Sequence, residues 1–153
     1  MRALRELEPP SEDEGFAVVR RVPFQREPGP ERTGVGVFVA RAVLDEPGGR
    51  DAVECAGPAG AVLLFDWRPD GHADELAADA ERLARAFGAP VETAVCAHGG
   101  GPPTCWCRPP LPGLLLAFAR AHAVDPGGST VVGTSATHRT LADSLGARYV
   151  APA

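Results

Sequence analysis

The residues best suited to chemistry are concentrated between Cys96 and Cys107, where a Cys96-x-His98 pair and a Cys105-x-Cys107 pair flank a Gly-Gly-Gly-Pro-Pro turn. Three of the chain's four cysteines and one of its four histidines fall in this stretch. Three thiolates and one imidazole make a complete tetrahedral set for zinc, and the glycine-rich turn lets the backbone fold back so that both pairs face one ion. The spacing is not that of a zinc finger, in which at least two residues usually separate the cysteines of a pair. A closed set of four protein ligands leaves no position for a metal-bound water, so the zinc implied here is structural. The alternative, buried reduced thiols beside a chance histidine, explains neither the clustering nor the turn. Cys55 stands apart next to Val53 and is expected to be a small buried apolar side chain.

The elements that must carry this loop can be taken in order. Gly34 to Leu44 is an apolar, β-branched run bounded by Gly and by Asp-Glu-Pro-Gly-Gly, as expected of a first core strand. The connection Asp45 to Gly60 is broken by Gly and Pro, leaving room for about two helical turns, and Ala61 to Phe65 is the second strand. Asp66 to Gly71 then forms a loop at that strand's carboxyl end, with Asp70 capping a turn. Ala73 to Phe87 is the clearest helix: Leu76, Ala80, Leu83, Ala84 and Phe87 form one apolar stripe, Asp79/Arg82 and Glu81/Arg85 pair on the polar side, and Gly88 ends it. Val91 to Val95 is a third strand delivering Cys96 to the same rim as the Trp67 loop. A helix over Gly113 to Ala123 follows, with His122 at its C-terminal end as a dipole partner. A strand at Thr130 to Val132, a helix from His138 to Leu145 capped by Gly146, and a strand at Ala147 to Val150 complete the chain. Alternating strands and helices define an α/β class: a compact, Rossmann-like, mostly parallel sheet flanked by helices, with a zinc-stapled loop and no large cap domain.

Composition narrows the function. The 153 residues are 44% hydrophobic, enough for one core, and the 18 glycines and 16 prolines imply many turns. Residues 1–34 are polar and punctuated by Pro9-Pro10 and by acidic Ser11 to Glu14. They read as an arm, partly disordered, with one short strand from Phe16 to Phe24, ahead of a domain over 35–153. A net charge of −5 argues against a nucleic-acid surface, and no run reaches the ~18 apolar residues of a membrane span. The N-terminus shows no apolar signal segment, and metal-binding reduced thiols fit a cytoplasmic location.

With the elements placed, the chain resembles the haloacid-dehalogenase-like phosphatase superfamily, in the zinc-loop subgroup of histidinol-phosphate and heptose-bisphosphate phosphatases. In that subgroup a Cys-x-His…Cys-x-Cys loop runs into Arg-Lys-Pro-x-Pro-Gly, as Cys107-Arg108-Pro109-Pro110-Leu111-Pro112-Gly113 does here but for one residue. Further on, the family's Val-Gly-Asp-x-x-x-Asp corresponds to Val132-Gly133-Thr134-Ser135-Ala136-Thr137-His138, followed by Ala142 and Gly146. Its first strand, Val-Phe-Leu-Asp-Arg-Asp-Gly, corresponds to Val37-Phe38-Val39-Ala40-Arg41-Ala42-Val43. The resemblance is fullest over residues 91–150.

The resemblance implies that the frame of a phosphatase is kept while its reacting groups are replaced. The family's nucleophile, general acid, lysine and magnesium carboxylates fall on Ala40, Ala42, Pro109, Thr134 and His138, and the phosphoryl-holding hydroxyl on Phe65 or Asp66. Alanine offers no nucleophile, proline no charge, and Thr134 with His138 makes a poor magnesium site. The expectation is a pseudoenzyme with structural zinc and without magnesium, acting as a protein-interaction or regulatory subunit through Trp67 and Trp106. Packing over the thiolates is an equal alternative for Trp106. A second hypothesis is a binder of phosphorylated metabolites using Arg41, Arg68 and Arg108. A third is an active phosphatase or hydrolase of the family. Either its aspartates lie at other positions, which would need an Asp-x-Asp at a strand end that the chain does not offer, or it recruits Asp66, Asp70, His72 or His138 as non-standard acids or bases.

Overall fold

The computed structural model describes residues 15, 17, 18, 20, 31–101 and 105–153. The expected strand from Phe16 to Phe24 and most of the polar arm lie outside these residues. Five strands form one sheet: β1 (Gly36–Ala40), β2 (Ala61–Trp67), β3 (Val91–Cys96), β4 (Thr130–Val132) and β5 (Arg148–Val150). Their order is β3-β2-β1-β4-β5, and every neighbouring pair is parallel. The connecting helices are α1 (Gly49–Cys55), α2 (Ala77–Phe87), α3 (Gly113–Ala121) and α4 (Ala136–Leu145). This is the Rossmann-like architecture expected, with a fully parallel sheet among the described residues.

Continuous apolar sequence in β1 follows from its central position, since a strand covered by helices on both faces has no solvent side. All five of its residues are buried, as are Val62 to Phe65 of β2 and the whole of β4. Phe38, Leu63, Leu64, Leu76 and Leu141 are fully enclosed, and Phe38 meets Phe118 of α3 edge-on at 6.0 Å between ring centroids. Leu76, Ala80 and Leu83 of the predicted stripe are buried, and α2 closes at Gly88 in the left-handed conformation (φ 64°).

Several boundaries differ from the expected ones. The apolar run from Gly34 does not continue as strand to Leu44: pairing ends at Ala40, and Arg41–Asp45 winds into a 3-10 turn that buries Val43. β2 runs two residues past Phe65, so Asp66 and Trp67 belong to the strand rather than to a loop, and they pair with Val95 and Cys96. The first turn of the predicted helix at Ala73 is a 3-10 segment, Ala73–Leu76, leading into α2. Helix α3 stops at Ala121, and α4 begins at Ala136, where Ser135 Oγ accepts the His138 backbone N–H as an N-cap. Asp79 is buried rather than on a polar face, bonded to Arg82 and, at 2.9 Å, to Arg41 from the 3-10 turn. Glu81 and Arg85 form no ion pair among the described residues. Cys55 is exposed, not buried, because α1 ends there and turns its last residue outward.

Candidate functional site

Strand β3 ends in a cysteine, and that places the cluster. Cys96 is fully buried at the carboxyl end of β3, opposite Trp67 of β2. Cys105 and Cys107 lie close to it. Cys107 Sγ lies 3.3 Å from Cys96 Sγ and 3.2 Å from His98 Nδ1, and Cys105 Sγ lies 3.7 Å from Cys96 Sγ. The four ligand atoms lie within 4.8 Å of one another, the compact grouping that one tetrahedral ion requires. Their electrostatics fit the same purpose. Burial, then the Cys96 and Cys105 sulfurs, push the Cys107 thiol up to about 12, while hydrogen bonds from Cys107 and the Arg108 backbone hold Cys105 below its ordinary value against burial. Three sulfurs this close cannot all be thiolates without a cation between them. The donor set and its packing therefore suit zinc, with Cys96, His98, Cys105 and Cys107 as its ligands.

The loop is tied to the sheet by backbone and side chains alike. Arg68 and Asp70 donate their N–H groups to the carbonyls of Cys96 and Ala97, and Trp67 Nε1 donates to the His98 carbonyl at 2.9 Å. Arg108 donates to the carbonyls of Gly99 and Gly101 and lies over the Trp67 ring, 5.3 Å from its centroid. Where the loop enters α3, the Gly113 N–H donates to the Trp106 carbonyl, and a side chain at Gly113 would overlap that carbonyl. Only glycine allows this approach, which accounts for the Pro-Gly that closes the segment. Trp106 itself is 72% exposed, so it does not pack over the thiolates.

Beside the loop, an open cleft of about 410 Å³ lies at the carboxyl ends of β1 and β2. In a sheet of this order the crevice falls between β1 and β4, where successive connections leave in opposite directions. Ala40, Ala42, Phe65, Pro109 and His138 all line it, joined by Asp66, Trp67, Arg108, Ser135 and Thr137. Residues more than 90 positions apart in sequence are thus gathered at one rim. Thr134 is not in the lining; its N–H donates to His138 Nδ1 at 3.2 Å. Burial lowers the pKa of His138 despite nearby Asp66, so the imidazole is neutral at pH 7, and the bond at Nδ1 leaves its proton on Nε2.

The other predicted polar residues are occupied elsewhere. Arg41 binds Asp79 and Asp45, and Arg68 binds Asp66 at 2.9 Å and Glu75 at 2.6 Å, so neither offers its charge to the cleft. Asp70 adopts a positive φ in the turn after β2, and His72 precedes the 3-10 segment, its N–H donating to the Glu75 carboxylate. Neither lines the cleft. His122 does sit at the end of α3, where its ring pairs with Glu92 at 2.7 Å and lies against Phe118. The contributions of Ser135, Thr137 and Gly100 to the cleft were not foreseen; Ser135 carried the only sequence signal, a serine immediately before a helix.

This arrangement is the fold of haloacid-dehalogenase-like phosphatases. The D,D-heptose 1,7-bisphosphate phosphatase of B. bronchiseptica, solved with magnesium and phosphate, superposes with a TM-score of 0.52 at 23% identity, over 75% of this chain and 78% of that one. A HAD-like phosphatase from Mesorhizobium loti gives a TM-score of 0.50 at 16% identity, over 81% and 74%. No protein-family model matches the chain, and no curated protein matches it either. Among the described residues no helix is long and apolar enough to cross a membrane.

Proposed function

We propose that the protein is a catalytically degenerate member of the phosphatase fold, acting as a protein-interaction or regulatory subunit in the cytoplasm. Residues 35–153 would form its domain and 1–34 an arm. One observation carries this reading: the cleft at the carboxyl rim is lined by Ala40, Ala42, Phe65 and Pro109, while the neighbouring Cys/His cluster has a complete zinc ligand set. An aspartyl nucleophile, a proton donor and a charge-neutralising lysine are the groups phosphoryl transfer on this fold would need. The residues aligned with them supply none. A closed zinc site provides no activated water and serves to hold the loop.

The partner surface in this reading is the loop itself. Trp106 and, at 42% exposure, Trp67 present large aromatic faces on a metal-stapled scaffold, with Arg108 stacked between loop and strand. Rigid exposed tryptophans are typical anchors of protein contacts. The test is purification of the tagged protein from its native cell under zinc-preserving conditions, beside Trp106→Ala. A stoichiometric partner that the variant loses supports the reading. A protein that purifies alone, or a partner indifferent to Trp106, contradicts the use of this surface.

A second reading, a small-ligand binder without turnover, is favoured by Arg108, the one cationic side chain lining the cleft among the described residues.

A further inference from the structure

The ligand chemistry of the cleft can be narrowed, on the reading that the domain does not turn over phosphate esters. The cleft's charge is small. Among the described residues Arg108 is its only cationic lining residue, and two of that guanidinium's donors already hold the carbonyls of Gly99 and Gly101. The lining also includes the Asp66 carboxylate, half-buried and bound to Arg68. A dianion would meet one partly engaged cation and one fixed negative charge. A monoanion can still take the guanidinium's remaining N–H donors, which favour charge-assisted bonds to a planar carboxylate. His138 presents its Nε2–H as a neutral donor, since Nδ1 accepts the Thr134 N–H. Apart from Ser135, Thr137 and Gly100 the rest of the lining is apolar: alanines at 40 and 42 leave open volume, and Phe65, Pro109 and the Trp67 ring form its walls.

We propose that this cleft binds a singly charged organic acid without a divalent cation, its carboxylate facing Arg108 and His138 and its apolar body against Ala42, Phe65 and Pro109. The ligand class is set by one available cation beside an apolar hollow. Magnesium plays no part in this proposal, because the one carboxylate in the lining among the described residues is committed to Arg68.

Fluorescence of Trp67 reads the site directly. The chain has two tryptophans, so the zinc-loaded full chain carrying Trp106→Phe reports Trp67 alone. The probes are benzoate, neutral benzyl alcohol and inorganic phosphate, each with and without Mg²⁺. Benzoate should quench saturably, with at least about tenfold preference over both other probes, and Mg²⁺ should change nothing. Arg108→Gln should weaken benzoate by about tenfold or more, and Arg108→Lys by less. Because Arg108 also holds the loop, Ala42→Leu provides an independent check: it fills the hollow from an exposed turn and should abolish quenching with Tm unchanged. Several results would overturn the proposal: no saturation by benzoate, equal binding of benzyl alcohol, preference for phosphate, dependence on Mg²⁺, or indifference to Ala42→Leu. Failure here without phosphatase turnover leaves the degenerate-phosphatase reading intact, whereas turnover would remove that reading itself.

Discussion

Replacing Cys105 by serine separates a metal site from a mere group of thiols. Cys105 is half-buried on the loop and belongs to no core cluster, and serine is nearly its isostere. In the absence of metal the substitution should therefore cost no more than about 0.5 kcal/mol, the usual range for such positions. With zinc bound the expectation differs. Structural zinc in small peptides contributes about 10–16 kcal/mol, and loss of one ligand in four removes about 3 kcal/mol on an even division. For a chain of this length that is a fall in Tm of roughly 6–12 °C. The assay is thermal unfolding by circular dichroism with metal content measured on the same samples. Wild type and Cys105→Ser are compared before and after chelation, with Cys55→Ser as control because that thiol is exposed and outside the cluster. The Cys105→Ser variant should hold zinc more weakly and melt below wild type, the two should melt alike once both are chelated, and Cys55→Ser should match wild type throughout. Full zinc retention with unchanged melting in Cys105→Ser would refute the reasoning.

Three further outcomes follow from particular contacts. Asp79→Asn should destabilise by about 1–2 kcal/mol at pH 7, discounting for the solvent around Arg82. Burial opposes ionisation of Asp79, but Arg82 and Arg41 outweigh it and hold the carboxyl below its ordinary range. Its contribution is therefore present above the unfolded pKa near 4 and lost as pH falls through the folded value, so the gap between wild type and variant should close in acid. A gap that widened in acid denaturation curves would be inconsistent with this sign. Leu141→Ala, at a fully enclosed position of α4, should cost about 2–5 kcal/mol in urea unfolding, and a cost under 1 kcal/mol would indicate a loosely packed core. Gly113→Ala should force the Trp106 carbonyl to move and weaken zinc affinity in a competition titration; unchanged affinity would show that this junction is not coupled to the loop.

Much of the fold is legible because local pattern and tertiary role agree. The unbroken apolar runs of β1 and β2 signal strands covered on both faces, and the stripe from Leu76 to Leu83 signals a helix laid on a sheet. The cluster is legible from ligand types alone, since β3 ends at Cys96 and the loop has only to bring Cys105 and Cys107 back. What sequence could not supply depends on distant partners. Arg41 looked available for a ligand, yet Asp79, 38 residues away, claims it, and the same contact buries an aspartate that helical periodicity assigned to the polar side. Residues 42–44 are as apolar as a strand requires, but the chain leaves the sheet at Ala40 and coils, a bend that composition does not encode. Cys55 follows the same logic: free cysteines are usually buried, but this one closes a short helix at the surface.

The most direct measurement is phosphatase turnover by the zinc-loaded protein over a panel of phosphomonoesters, from p-nitrophenyl phosphate to sugar bisphosphates, with saturating Mg²⁺. A cleft lined by Ala40, Ala42, Phe65 and Pro109 predicts release of inorganic phosphate no faster than in buffer. Saturable turnover that disappears in Ala42→Leu would locate catalysis in this cleft and contradict the degenerate-phosphatase reading.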